Sequence, residues 1–302
     1  DGRYTIQAQN ECGKNFRIIV IHKKLPHTII KNCKLGFDPH LFTTNNLKRY
    51  FSTNNELISI NENIIDKIYK NKKKKTKSFF SLSAKIAGQT HHSKIKKIMN
   101  FLNFKKVDYL YVSAPENVAW LLNIRGYDNP TSPIPNSRLI IGKNKKIFLF
   151  TTKKNAQKII IEKKIKKKQV FDYHDFNELV NQLRGSNFII DNQSCSVFDE
   201  RIINARFSIQ NQKDPIYKLK SIKNSSEINH IIEAHKKDGL ALTRFIYWIK
   251  NVNKKNITEV DAQNKLEKFR RMNIDYLYPS FNTIAGAGPN GAIVHYRATK
   301  FN

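Results

Sequence analysis

The chain has 302 residues and a formal net charge of +30. This length allows two or three domains of about 100–200 residues each, which excludes a single small module. No apolar run approaches the roughly 18 residues of a membrane span, and the three cysteines contain no C-x-x-C pair, which argues against a disulfide framework or a zinc knuckle. We therefore expect a soluble protein of the reducing cytoplasm, without a membrane partner.

The charge first indicates a polyanionic partner such as nucleic acid. However, Lys, Asn and Ile are abundant throughout and all have A/T-rich codons, so a genome rich in A+T would give this composition to any enzyme. The lysine runs at 72–75 and 166–168 lie in segments typical of loops, without interleaved aromatic residues for base stacking. The sequence therefore disfavours nucleic acid as a partner.

Residues 1–87 are predicted to contain part of an α/β unit followed by an exposed connector. Strand and short helix alternate up to about residue 60, with NFRIIVIHK as a strand and a turn at Gly36 and Pro39 in KLGFDPHLFT. The Lys-, Ser- and Asn-rich stretch around KNKKKKTKS is the predicted connector.

Residues 88–213 are predicted to form a second, complete α/β unit. Ile95, Ile98, Met99 and Leu102 recur at helical spacing, the strand DYLYVSA follows, and another helix begins near Pro115. SRLIIG and KIFLFT are predicted as a hairpin. A helix in FNELVNQLRG, the strand NFIIDN and a short helix near SVFDERIIN complete the unit.

Residues 214–302 are predicted to begin a third unit with two helices. Asn224 and Glu227 are spaced as a capping box at the start of a long helix, and Thr258 and Asp261 are spaced likewise at the next. One face of the long helix is predicted to contain Ile228, Ile231, Ile232, His235, Leu242, Phe245, Ile246 and Ile249. Strands in SFNTIAGAG and AIVHY are predicted to flank the turn GPNG.

Common catalytic motifs are missing from the sequence: it contains no G-x-S-x-G, no H-E-x-x-H and no G-x-x-x-x-G-K-[ST]. His91 and His92 are adjacent, which predicts side chains that point apart, and His230 and His235 are five residues apart, which suits one helix face poorly. The pattern favours surface or packed histidines in these cases.

Two residues remain as candidate substrate contacts. His295 follows the Gly-rich turn on a predicted strand with Ile293 and Val294 buried, so a fixed backbone would aim its imidazole at one place. Arg3 follows a glycine and offers a fork that suits a carboxylate. From the pattern alone, a structural role for His295 and solvation for Arg3 are the favoured interpretations.

Several segments resemble, in order along nearly the whole chain, the three-domain Xaa-Pro aminopeptidases, also called aminopeptidase P. The matching segments are DGRYTIQAQ, KLGFDPHLFT, ENVAWLLNIRGYDNPTSPIPNSRLII, DPIYKLKSIKNSSEINHIIEAHKKDGLALTRF and FNTIAGAGPNGAIVHYRAT. The AWLLNIRG and GPNGAIVHY blocks are specific to this family, and the Lys-rich stretches depart from it.

The resemblance implies a mixed α/β (α+β) fold: two creatinase-like N-terminal α/β domains, at 1–87 and 88–213, followed by the first part of a pita-bread catalytic domain at 214–302. It implies hydrolysis of the bond between an N-terminal residue and a following proline, by two metal ions, usually manganese, that activate a hydroxide. His295 then contacts substrate near the scissile bond as a catalytic residue, and Arg3 reaches toward the peptide. The resemblance also implies a cytoplasmic homodimer.

The metal ligands of the family, two Asp, one His and two Glu, all lie downstream of the HY block, and this chain ends at Asn302 before them. The resemblance therefore predicts a fragment or truncated reading frame that contains no metal ligands and binds no dinuclear metal. It also predicts exposed apolar faces on the helices at 226–250 and 259–272. A non-catalytic remnant that mediates dimer contacts and a basic nucleic-acid binder are the alternatives.

Overall fold

The structure is a computed structural model that describes residues 4–21, 23–51, 54–60, 62–69 and 77–300. The chain forms two compact units, one of residues 1–25 with 228–302 and one of residues 26–227. The domain boundaries at 87/88 and 213/214 stay a prediction. None of the helices in the described ranges is both long enough and apolar enough to cross a bilayer.

Helices and strands alternate along most of the described chain. The α-helices are α1 Thr5–Cys12, α2 Thr44–Tyr50, α3 Ile64–Ile68, α4 Ala84–Ala87, α5 His91–Lys105, α6 Pro115–Leu122, α7 Lys153–Ile161, α8 Phe176–Gln182, α9 Val197–Asn204, α10 Pro215–Ser221, α11 Ser225–Asn251 and α12 Glu259–Arg271. The strands are β1 Lys34–Phe37, β2 Glu56–Ser59, β3 Phe80–Ser81, β4 Tyr109–Val112, β5 Ile124–Arg125, β6 Arg138–Gly142, β7 Ile147–Phe150, β8 Val170–Phe171, β9 Asn187–Ile190 and β10 Ser208–Asn211.

A six-stranded mixed sheet organises residues 26–227, with the strand order β10-β9-β4-β6-β7-β8. The predicted hairpin is confirmed, because β6 and β7 pair antiparallel with Leu139 opposite Leu149. Strand β4 is central: it pairs antiparallel with β6 and parallel with β9. Two small sheets accompany it, parallel β1-β2 and antiparallel β3-β5.

Hydrophobic clusters cover both faces of this sheet, as the alternation of strand side chains requires. Leu110 and Val112 of β4 belong to a cluster that contains Ile98 and Leu102 of α5, so the predicted helical spacing is confirmed. Tyr109 and Tyr111 belong instead to an aromatic cluster with α8, β9 and α9. Because β4 is buried on both faces, it reads as a continuous apolar run.

A buried carboxylate ties together four segments on the aromatic side of the sheet. Asp199, at the start of α9, is fully buried and accepts a hydrogen bond of 2.7 Å from the Tyr111 hydroxyl. The Tyr173 hydroxyl donates a second, and the Arg138 guanidinium lies 3.7 Å away. Burial, then the charge of Asp199, raises the pKa of Tyr111 well above its usual value, so this hydroxyl remains a donor.

Both predicted capping boxes are confirmed. At the start of α11 the Asn224 amide donates to the Glu227 carboxylate and the Glu227 amide donates to the Asn224 side chain, each at 3.0 Å. Thr258 and Asp261 exchange the equivalent bonds at α12. Helix α11 also exposes apolar side chains as predicted, namely Ile228, Ile231, Ile232, Leu242 and Ile246, whereas Leu266 of α12 is buried.

Three predicted strands are wrong. The described part of NFRIIVIHK has no regular secondary structure, and neither do SFNTIAGAG and AIVHY apart from a short 3-10 helix at Gly288–Ala292. A strand requires a neighbour to complete its hydrogen bonds. Among the described residues none pairs with these segments; the Tyr296 amide, for example, donates locally to the Ile293 carbonyl.

Candidate functional site

The candidate site is the turn that presents His295 in the unit formed by residues 1–25 and 228–302. The imidazole of His295 is half-buried between two aromatic rings. The Tyr4 ring lies 5.5 Å away between centroids and the Phe281 ring lies 6.1 Å away, the latter edge-on. The flanking rings limit the orientations that the imidazole can adopt. The imidazole can then donate one hydrogen bond to a peptide group, or accept one from it, in a defined direction.

Glu259 holds this turn from the first residue of α12. Its carboxylate accepts a hydrogen bond of 2.7 Å from the Tyr296 hydroxyl, another from the Ala287 amide, and a third from the Asn290 side-chain amide. These bonds, the Tyr296 bond first, hold the pKa of Glu259 below its usual value of 4.5. The anchor is therefore complete above pH 4.5 and is lost as the pH falls through the lowered pKa.

The backbone of the turn differs from the predicted strand. His295 has φ 58° and Gly288 has φ 54°, both in the left-handed region. A left-handed histidine is uncommon and needs support from its surroundings. Tyr296, which is 7% exposed, supplies that support through Glu259. The prediction that Val294 is buried is wrong, since its side chain is 58% exposed.

Removing the Glu259 carboxylate is expected to loosen the turn. In Glu259→Ala, the Ala287 amide loses its acceptor, so its hydrogen-exchange rate should rise about tenfold. The measurement is amide exchange by NMR at pH 7. The matched control is Glu233→Ala, which removes an exposed carboxylate that pairs with Lys236 at 2.7 Å on α11. Equal exchange at Ala287 in wild type and Glu259→Ala would show that Glu259 does not hold the turn.

Phe281 also lines a cleft of about 460 Å³ in the same unit. Arg270 and Asp238 border it as a two-bond ion pair, with 2.7 Å between Nε and Oδ1 and 3.4 Å between Nη2 and Oδ2. Tyr276 borders it too and donates to Glu267 at 2.7 Å. Phe281 therefore borders both the cleft and the His295 imidazole.

Arg3, the second sequence-predicted site residue, lies outside the described residues. Its neighbour Tyr4 is described and contacts His295. Sequence reasoning missed Tyr4, Phe281 and Glu259 as parts of the site. The only signal for Glu259 was its place directly after the helix cap Thr258, which is a stabilising place for any carboxylate.

Among the described residues, the other histidines do not join this imidazole in a metal site. The described ranges contain no group of three or more His, Cys, Asp or Glu side chains that could hold a metal ion. These residues therefore do not fit the dinuclear metal that the family resemblance implies. His91 and His92 lie in the other unit, and their rings are 3.9 Å apart, so the prediction that they point apart is wrong.

Comparison with known families gives two adjoining matches. Residues 70–227 match the Creatinase/Prolidase N-terminal domain, and residues 229–301 match Metallopeptidase family M24. The first match covers just over half of the chain.

Comparison with curated proteins finds relatives along nearly the whole chain. A probable Xaa-Pro aminopeptidase P of Laccaria bicolor is 28% identical over 98% of this chain and 49% of its own length. Xaa-Pro aminopeptidase 1 of Dictyostelium discoideum is 29% identical over 98% of this chain and 51% of its own. The chain thus spans about half the length of the curated relatives it matches.

A solved structure shows the same fold. It is an X-prolyl aminopeptidase from Caenorhabditis elegans, described as a cytosolic enzyme with a di-nuclear active site, with a TM-score of 0.82 and 23% identity over 98% of this chain and 52% of that one. Together with the mixed sheet of residues 26–227, these matches show that the chain belongs to the creatinase/prolidase family.

Proposed function

We propose that the protein is an Xaa-Pro aminopeptidase, which hydrolyses the bond between an N-terminal residue and a following proline. The observation that carries the proposal is the half-buried His295 imidazole between two aromatic rings, in a segment that matches a metallopeptidase family. The names of the curated relatives support the same activity.

In this proposal His295 is the catalytic residue of the described part. It hydrogen-bonds the substrate near the scissile bond, while the Tyr4 and Phe281 rings restrict its orientation. An imidazole fixed before substrate arrives loses little freedom when the bond forms, which favours the transition state. Arg3 binds the peptide with its guanidinium, as the family resemblance implies.

The match to a metallopeptidase family supports a reaction that depends on divalent metal. From the family resemblance, we propose that this divalent metal is a pair of manganese ions. The described residues contain no group of side chains suited to hold the metal. A homodimer in the cytoplasm is proposed with this function; the C. elegans neighbour is described as cytosolic.

The test is an assay of the protein made from its natural gene on two peptides that differ only in proline or alanine at the second position. We expect manganese-dependent release of the N-terminal residue from the proline peptide alone. A chelator should abolish the release, and added manganese should restore it. Equal cleavage of both peptides, or none with manganese present, contradicts the proposal.

A further inference from the structure

A cavity of about 750 Å³ lies in the unit of residues 26–227, which does not contain His295. Its wall consists of the first half of α5, the β6–β7 turn and the loop that follows α7. Small-molecule sites are commonly concave spaces of about 300–1,000 Å³. The cavity is therefore of a size to hold a small ligand.

The charged side chains that line this cavity in the described residues are all positive. Among the described residues, its lining contains no aspartate or glutamate but contains five lysines: Lys96, Lys145, Lys163, Lys164 and Lys166. In the described ranges none of these five forms an ion pair, although Lys164 donates to the Leu82 carbonyl. Some lysines elsewhere in the described residues do have acidic partners, as in Lys143–Asp108, Lys158–Glu162 and Lys236–Glu233. A concave wall with unneutralised cations concentrates anions.

The floor of the same cavity is apolar. Ile95, Leu122 and Ile165 are all at most 7% exposed, and Met99 and Ile147 pack beside them. A surface that only attracts counter-ions has no need of such a floor. A floor of this kind binds the apolar or ring-shaped part of a ligand. This burial stabilises the complex by about 25 cal/mol for each Å² of apolar surface removed from water.

His91 and His92 border the cavity at the first turn of α5. Burial, followed by the charges of His92 and Lys164, lowers the pKa of His91 to about 4, so its imidazole is neutral at pH 7. The start of a helix adds partial positive charge to the same wall. Five lysines, a helix start and an apolar floor thus converge on one space.

We propose that this cavity binds an organic phosphate: a small molecule with two or more phosphate groups on an apolar or ring-shaped body. The lysines bind the phosphates, and the floor of Ile95, Leu122 and Ile165 receives the body. The ligand chemistry differs from that of a proline peptide, so this site is independent of the proposed peptidase activity.

The two methionines of the chain make a direct test. Met99 lines the cavity, whereas Met272 lies in the other unit and serves as an internal reference. With ¹³C-methyl methionine, ATP should shift the Met99 signal saturably at about 0.15 M salt, where weak surface attraction is screened. The Met272 signal should not move. Inorganic triphosphate, which lacks the ring, should bind at least about tenfold more weakly than ATP.

Two double variants with the same change of charge separate the cavity from the general basic surface. Lys96→Gln with Lys166→Gln should weaken ATP binding about tenfold or more. Lys153→Gln with Lys154→Gln, exposed on α7 and outside the cavity, should change it less than about twofold. Circular dichroism checks that both variants remain folded.

Three outcomes overturn the proposal. ATP at about 1 mM leaves Met99 unmoved, or both double variants weaken binding equally, or triphosphate binds as well as ATP. Each of these results would mean that the cavity adds nothing to the non-specific attraction of anions to a protein of charge +30.

Discussion

Replacing Asp199 by alanine is expected to lower the free energy of unfolding of the unit of residues 26–227 by about 3–5 kcal/mol. The carboxylate is fully buried and accepts from the hydroxyls of Tyr111 and Tyr173, with Arg138 beside it. Its removal leaves two hydroxyl donors and part of a guanidinium without an acceptor in a dry region. Urea unfolding followed by circular dichroism measures the change.

Tyr173→Phe is the matched comparison for Asp199→Ala. It removes one hydroxyl donor but leaves the carboxylate with Tyr111 and Arg138. The expected loss is about 1–2 kcal/mol, since one hydrogen bond to a charged group disappears. If Asp199→Ala costs no more than Tyr173→Phe, the carboxylate does not join the four segments, and the aromatic cluster alone holds them.

Replacing His295 by alanine in the active protein is expected to lower kcat about 10²–10³-fold. The proposal gives this imidazole a bond that strengthens in the transition state, so kcat and kcat/KM should fall together. Bound metal should stay unchanged, because the described residues around His295 form no metal-binding group. Steady-state kinetics on the proline peptide and elemental analysis of the same preparation measure both quantities.

His230→Ala is the control for His295→Ala, because it removes an exposed histidine on α11. It should change kcat less than about twofold. Unchanged kinetics in His295→Ala would refute the catalytic role. A fall in activity matched by an equal fall in metal would instead make His295 a metal-holding residue.

The fold of residues 88–213 could be predicted from the sequence wherever the signal was local. Helix α5 followed from the spacing of Ile95, Ile98 and Leu102, because one helix face packs on the sheet. The β6–β7 hairpin followed from two apolar runs joined by a short turn. The order of the sheet did not, because β4 and β9 pair across about 80 residues and no spacing rule predicts such a partner.

The candidate site could be predicted only in part. His295 and Arg3 both stood out in the sequence, and the family resemblance gave each of them a substrate-binding role. The contact between Tyr4 and His295 joins opposite ends of the chain, so no local pattern contains it. The strand predicted around His295 was wrong because a strand depends on neighbouring strands for its hydrogen bonds. This turn is held instead by the Glu259 side chain. The spacing of apolar residues does not reveal such a side-chain contact.

The unit that contains His295 is discontinuous, since it joins residues 1–25 to residues 228–302. During synthesis on the ribosome, helix α1 emerges about 200 residues before the segment it packs with. At about 5–20 residues per second, the wait is roughly 10–40 s. The unit of residues 26–227 emerges in one piece and can complete its core within that interval. Nascent chains of this protein therefore carry helix α1 without its packing partners during that interval, which is a state that chaperones and proteases meet.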